Sequence, residues 1–93
     1  MIVRFHIDPI DQNLFEYSVS YEGEPLYADV GLASIVDCIV AATEGLDQEA
    51  VAAEIAFKGI ISGTYALASL ALMSAQIADH AVQTTLAIEE VSI

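Results

Sequence analysis

The stretch GIISGTYALASLALMSAQIA, Gly59–Ala78, decides the fold class, because its twenty residues include no Asp, Glu, Lys, Arg or His. A helix of about twenty apolar residues is long enough to cross a bilayer. The same stretch is also compatible with a buried helix of a small soluble domain. The spacing of its polar residues distinguishes these two interpretations.

The polar residues of this stretch recur at a fixed interval. Ser62, Ser69 and Gln76 lie seven residues apart, and Gln83 continues the series. At about 100° per residue they form one narrow stripe opposite an Ala-rich side, which is typical of a nearly buried soluble helix. The polar residues also reduce the free energy gained on membrane insertion, and no cluster of Lys or Arg sets an orientation. We therefore expect a helix over about Ser62–Gln83 that does not contact a membrane.

The first thirty residues alternate between apolar and polar side chains. The segments VRFHIDP (residues 3–9) and FEYSVSYEG (residues 15–23) each place their apolar residues on one face and their polar residues on the other. This alternation is typical of half-buried strands, and each segment ends at Pro or Gly. LYADV (residues 26–30) is interpreted as a short third strand or as an extended entry to a helix.

The remainder of the chain has helical spacing. ASIVDCIVAATEG predicts a helix that Ser34 or Asp29 caps and Gly45 ends. LDQEAVAAEIAFKG predicts a second helix, with Asp47 as its N-cap and Gly59 at its end. TTLAIEEVSI, at the end, is expected to add a strand to the sheet, with a helical continuation as the alternative. The expected fold is a single α+β domain, residues 1–93: an N-terminal antiparallel β-hairpin or three-stranded meander packed on three Ala-rich helices.

The charge balance limits the classes of partner. Fourteen carboxylates accompany only two basic residues, Arg4 and Lys58, so the net charge is −12. Direct binding of nucleic acid or anionic lipid depends on Lys and Arg at phosphates, and we expect neither. A strongly negative surface attracts basic partners. High net charge also keeps a small apolar protein soluble, and that alternative explanation needs no partner.

The carboxylates are concentrated in one part of the chain, since eleven of the fourteen lie in the first fifty-four residues. The sequence therefore predicts a non-enzymatic acidic protein that binds and occludes a basic protein surface. Inhibitors, immunity proteins and phage anti-defence proteins act in this way, and some mimic the charge of nucleic acid. The predicted partner-binding residues are Asp8, Asp11, Glu16, Glu22 and Glu24.

Small residues in the last third of the chain support an alternative function. Small side chains let two helix backbones approach closely, either within one chain or between subunits. The alternative is a homo-oligomeric structural module, with a dimer as the expected state. Its predicted interface residues are Gly63, Leu67, Ala71, Ala75 and Ala78.

A second alternative is a small metal- or ligand-binding domain that uses His6, Asp8, Asp11 or His80. His6 and Asp8 would share one face of a strand about 7 Å apart, which is a workable ligand geometry, but the simpler explanation is that both line the solvated face of the sheet. No cofactor or metal is therefore predicted, and no catalytic signature is present. Cys38 lies in an apolar run typical of a buried structural cysteine. A single cysteine and a start without a signal peptide favour a cytoplasmic location.

Overall fold

The computed structural model describes residues 1–91 and shows a five-stranded mixed sheet with helices packed against one face. Its elements in chain order are β1 (Ile2–Asp11), β2 (Leu14–Tyr21), β3 (Glu24–Leu32), α1 (Ile35–Glu44), β4 (Ala52–Phe57), β5 (Ile60–Ala66), α2 (Leu67–Leu72) and α3 (Ser74–Val91). The strand order is β3-β2-β1-β4-β5. Strands β1 and β4 are parallel, and the other neighbours are antiparallel. The expected α+β class is confirmed.

The first three strands form the expected meander. Val3, Phe5 and Ile7 alternate with more exposed residues along β1 and are buried against the helices. The turn between β2 and β3 is tight, with Glu22 and Gly23 at φ angles of 51° and 83°. Two successive positive φ angles match the right-handed twist of the flanking strands. Local alternation and turn chemistry are therefore sufficient to specify this half of the sheet.

Helix α1 connects the meander to the second half of the sheet. Ser34 is its N-cap, and the Ser34 hydroxyl oxygen accepts a hydrogen bond from the backbone N–H of Asp37 at 3.1 Å. The alternative cap, Asp29, lies within β3. Because α1 returns the chain to the end of the sheet where β1 begins, β4 can lie parallel to β1. The first strand of the chain therefore occupies the centre of the sheet.

The expected second helix, in LDQEAVAAEIAFKG, is wrong, because the second half of this segment contains β4 and the first half is a loop. Ala53 and Ile55 are completely buried, between β1 on one side and β5 on the other. The helix propensity of alanine is a weak preference that tertiary pairing overrides. Asp47, the predicted N-cap, lies in the loop before β4, where its carboxylate accepts a hydrogen bond from the backbone N–H of Glu49.

The expected helix over about Ser62–Gln83 is also wrong as a single element. This part of the chain forms β5, α2 and the first half of α3. Lys58 and Gly59 have φ angles of 54° and 79° and form the tight turn between β4 and β5. A glycine after a periodic segment can end a helix or close a hairpin. Gly59 closes a hairpin, so the prediction that it ends a helix is wrong. The Ala-rich three-helix layer is not confirmed.

The expected C-terminal strand is wrong over the described residues, because α3 continues as a helix to Val91. Thr85 is buried, and its hydroxyl donates a hydrogen bond to the carbonyl oxygen of Phe57 at 3.4 Å. This contact holds the middle of α3 against β4. From Leu86 onward the side chains of α3 are exposed. The expected strand also included residues 92–93, which lie outside the described residues.

The sheet has one covered face and one open face. Phe5, Val19 and Ile55 on the covered face pack in one core with Ile39 and Leu70 of the helices. No helix within residues 1–91 covers the opposite face, which we call the open face. The side chains of the three central strands that point to the open face include Ile2, Arg4, His6 and Asp8 of β1, Glu16, Ser18 and Ser20 of β2, and Ala52, Glu54 and Ala56 of β4.

Candidate functional site

The open face contains a groove with a volume of about 780 Å³. Its walls come from β1, β2, β4 and the β2–β3 turn, so the groove lies over the centre of the sheet. The charged and polar residues that line it are Arg4, His6, Asp8, Ser18, Ser20, Glu22 and Glu54. The other lining residues include the apolar Ile2, Val3, Val19 and Pro25. The groove therefore combines carboxylates and hydroxyl groups with apolar surface.

Two hydrogen bonds organise the middle of the groove. Nε of Arg4 donates to Oε1 of Glu54 at 2.5 Å, and the two residues are neighbours in the parallel pairing of β1 and β4. Nε2 of His6 and Oγ of Ser20 are hydrogen-bonded at 3.0 Å. The Arg4 side chain is nearly half exposed, so its ion pair adds about 1 kcal/mol or less to stability. Its main effect is to neutralise Arg4, which leaves the other carboxylates of the groove uncompensated.

Asp8 and Glu16 lie directly opposite each other in the register of β1 and β2, and both point to the open face. Like charges at directly opposed positions of an antiparallel pair are destabilising. Arg4 contacts Glu54, and the Lys58 ammonium lies 5.6 Å from the centre of the Phe57 ring. Within residues 1–91, neither Asp8 nor Glu16 forms a salt bridge. We call Asp8 and Glu16 the acidic pair.

The other predicted partner-binding residues lie near the two hairpin turns. Asp11 ends β1, and its carboxylate accepts a hydrogen bond from the backbone N–H of Gln12 at 2.7 Å. Glu22 lies in the β2–β3 turn and Glu24 begins β3, at the opposite end of the hairpin from Asp11. Six residues of strand separate Glu22 from Glu16, or about 20 Å. The five predicted residues thus form two separate clusters, with the groove between them.

The geometry of the groove provides only part of a hydrolytic site. Ser20 and His6 are at the distance required of a nucleophile and its base. Among the described residues, no hydrogen bond connects the second ring nitrogen of His6 to a carboxylate. The backbone N–H groups of β1 and β2 point into the ladders with neighbouring strands, so they do not form an oxyanion hole.

Metal-binding and thiol chemistry have little support in the described part of the chain. No group of three or more His, Cys, Asp or Glu side chains within residues 1–91 is arranged to hold a metal ion. Cys38 is completely buried. Burial, with a smaller effect of Asp37, raises the pKa of its thiol to about 11. A thiol that stays protonated at neutral pH is a poor nucleophile and a poor metal ligand.

The residues predicted to form an oligomer interface do not share one helix face, because the helix that would connect them is absent. Gly63 lies in β5, and Leu67 and Ala71 belong to α2. Ala75 and Ala78 belong to α3, and Ala78 is buried in the core of its own chain. A dimer, and the part that these residues would have in it, stays a prediction.

The sequence predicts the residues that β1 contributes to the groove but not the residue that β4 contributes. Alternation along VRFHIDP placed Arg4, His6 and Asp8 on one face. Glu54 was assigned to a helix, so its ion pair with Arg4 was missed. The segment AAEIAF does contain an alternating signal, with Ala53, Ile55 and Phe57 on the covered face, but four of its six positions hold residues that also favour a helix.

Comparisons with protein-family models, with curated proteins and with solved structures give no match to this chain. Over residues 1–91, none of the helices combines the length and the apolar character needed to cross a membrane.

Proposed function

We propose that this chain is a non-enzymatic binding protein that holds a basic segment of another protein against the open face of its sheet. The acidic pair carries the proposal. Two carboxylates that lie opposite each other and form no salt bridge within residues 1–91 reduce the stability of the isolated chain. Features that oppose stability are expected where function requires them. A basic partner would supply the missing positive charge.

The size of the groove supports an extended ligand. The acidic pair lies near one end of β2, and Glu22 and Glu24 lie about 20 Å away near the other. An extended segment of about six residues has the same length. Lysine or arginine side chains near the two ends of such a segment would reach the two acidic clusters. The hydroxyl groups of Ser18 and Ser20, between the clusters, are hydrogen-bonding partners for the middle of the segment.

The mechanism of such a protein is occlusion. A basic segment that binds the groove is no longer accessible to its own anionic ligand, whether that ligand is nucleic acid or an acidic substrate. Electrostatic attraction would speed the encounter, since a net charge of −12 creates a long-range field. Inhibitors, immunity proteins and phage anti-defence proteins are the functional classes that fit this mechanism, and nucleic-acid charge mimicry is one form of it.

The test compares two variants with the same net charge. Asp8→Asn/Glu16→Gln neutralises the acidic pair, whereas Glu89→Gln/Glu90→Gln neutralises two exposed carboxylates of α3. Immobilised wild-type protein and both variants are used to capture proteins from a lysate, and retained basic proteins are then titrated individually. We expect the first variant to weaken binding at least about tenfold, which corresponds to 1.4 kcal/mol. The control should bind within about twofold of wild type.

The salt dependence gives the second criterion. Binding should weaken as sodium chloride is raised from about 50 to 500 mM, because salt screens exposed charges. The proposal is refuted if every retained protein binds both variants equally, or if no retained protein shows this salt dependence.

A further inference from the structure

The strand β5 forms one edge of the sheet. It pairs with β4 on one side, and no strand within residues 1–91 pairs with its other side. Its sequence, IISGTYA, contains neither a charged residue nor proline. A bulge at Ser62 is the one irregularity in its pairing with β4. An uncharged edge strand without proline presents backbone groups to which a further strand can add.

The opposite edge, β3, is protected in several ways. β3 contains one proline, Pro25, and two carboxylates, Glu24 and Asp29. Two bulges also interrupt its pairing with β2, at Leu26 and Gly31. Proline, charge and bulges are the devices by which natural sheets prevent strand addition. The contrast between the two edges indicates that β5 is accessible to a partner and β3 is not.

The charge distribution identifies the partner. Two copies of a chain with a net charge of −12 repel each other over most of their surfaces. The twenty residues that include β5, Gly59–Ala78, carry no charged side chain. Two copies can therefore approach at β5 with less repulsion than at β3 or at the open face. A basic partner, in contrast, would gain more by binding the carboxylates elsewhere.

We propose that β5 pairs antiparallel with β5 of a second copy, so that two five-stranded sheets become one ten-stranded sheet. Such an interface is self-complementary, because a twofold axis places the same strand on both sides. Antiparallel pairing within one continuous sheet keeps both open faces on the same side of the dimer. Ile61 and Thr64 are exposed, and they would contact the second copy.

Sedimentation velocity of the full chain over about 1 µM to 1 mM tests the proposal. Thr64→Lys adds a charge to an exposed position of β5, opposite Glu54. Ala28→Lys adds the same charge to an exposed position of β3 and is the matched control. We expect wild type and Ala28→Lys to dimerise, and Thr64→Lys to dissociate at least about tenfold more readily. Both variants carry one positive charge more than the wild type. A difference in net charge therefore cannot explain a difference between the two variants.

Hydrogen exchange of the wild-type chain provides a measurement that does not depend on a variant. Amides of Ile60–Ala66 should exchange more slowly at high protein concentration, while those of Glu24–Leu32 should not change. A wild-type chain that stays monomeric over the whole series overturns the proposal. Dimers that persist in Thr64→Lys and dissociate in Ala28→Lys also overturn it.

The salt response separates this proposal from the proposed function. Dimerisation of two negative chains should strengthen with sodium chloride, because screening reduces their repulsion. Binding of a basic partner should weaken under the same conditions. Because the two salt responses are opposite, either proposal can still be tested if the other one fails.

Discussion

At the scale of single residues, Tyr27 connects the exposed edge strand β3 to the end of α1. Its hydroxyl donates a hydrogen bond to the carbonyl oxygen of Ala42 at 2.5 Å. Its ring lies so close to Gly45 that a Cβ there would come within 2.9 Å of Cε2. Gly45 has a φ of −84°, so close approach of the ring, rather than a left-handed conformation, requires glycine.

Tyr27 also makes the stability of the chain sensitive to alkaline pH. Burial, and to a lesser extent Tyr17, raises its pKa from 10.0 to about 12. Between these values the unfolded chain releases the phenolic proton and the folded chain retains it. The folded state is therefore most favoured below pH 10 and loses stability as the pH rises towards 12.

Tyr27→Phe should reduce stability at neutral pH and flatten this pH dependence. Loss of the hydrogen bond to Ala42 should cost about 0.5–1.5 kcal/mol. Thermal unfolding followed by circular dichroism from pH 7 to 12 measures both effects. The two curves should approach each other above pH 10, and Tyr17, whose pKa burial also raises, should leave a residual slope. Parallel curves over the whole range would contradict this explanation.

At the scale of secondary-structure elements, the register of β1 and β2 creates a like-charge contact that the sequence alone does not show. Alternation predicts that Asp8 and Glu16 are both solvated. Only the pairing of the two strands places them directly opposite each other. Their repulsion is therefore a property of the hairpin rather than of either strand.

Asp8→Lys should convert this repulsion into attraction. An opposite-charge pair across two strands contributes about 0.2–1 kcal/mol, and we expect a gain in stability at least this large. Urea unfolding at low salt measures the change, and Asp8→Asn should give a smaller gain. The same substitution should reduce binding of a basic partner. A less stable Asp8→Lys protein would show that the acidic pair does not oppose folding.

The elements that could be predicted are those that depend on local signals. Strict alternation identified β1 and β2, and the Ser34 cap identified the start of α1. In β4 and β5 the local signal is ambiguous. Ala53 and Ile55 suit a helix and a buried strand equally well, so β4 is determined by its pairing with residues about fifty positions earlier.

The candidate site could also be predicted only where it depends on local signals. Arg4, His6 and Asp8 could be assigned to one polar face from their spacing. The contact of Arg4 with Glu54 and that of His6 with Ser20 depend on which strands become neighbours. No spacing rule provides that information for a single sequence, because the order of strands is a property of the whole sheet.

At the scale of the whole molecule, the net charge of −12 is distributed over a small folded chain with a radius of gyration of 12.4 Å. Folding brings these charges closer together than they are in the unfolded chain. Self-repulsion of this kind destabilises the compact state and decreases as salt is added. The chain should therefore be more stable at moderate ionic strength than at low ionic strength.

Thermal unfolding at about 10 and 300 mM sodium chloride tests this expectation, since the Debye length falls from about 30 Å to well below 10 Å. Each kcal/mol of repulsion removed should raise Tm by about 4–8 °C. Glu89→Gln/Glu90→Gln should show a smaller rise, because it carries less charge to screen. A Tm that stays constant or falls with salt would show that repulsion between carboxylates does not limit stability. Both temperatures should be measured at one protein concentration, because dimerisation also responds to salt.

The central position of β1 has a consequence for the order of folding. On one side, β1 pairs with β2, which follows it in the chain after a short turn. On the other side, β1 pairs with β4, so Arg4 contacts Glu54, fifty positions later. During synthesis, residues 1–32 can form a hairpin and a third strand while β1 still lacks its second neighbour. The closing of that long loop adds an entropic barrier, and contacts between distant segments slow folding. Until residue 57 is available, the central strand of the finished sheet is an edge strand.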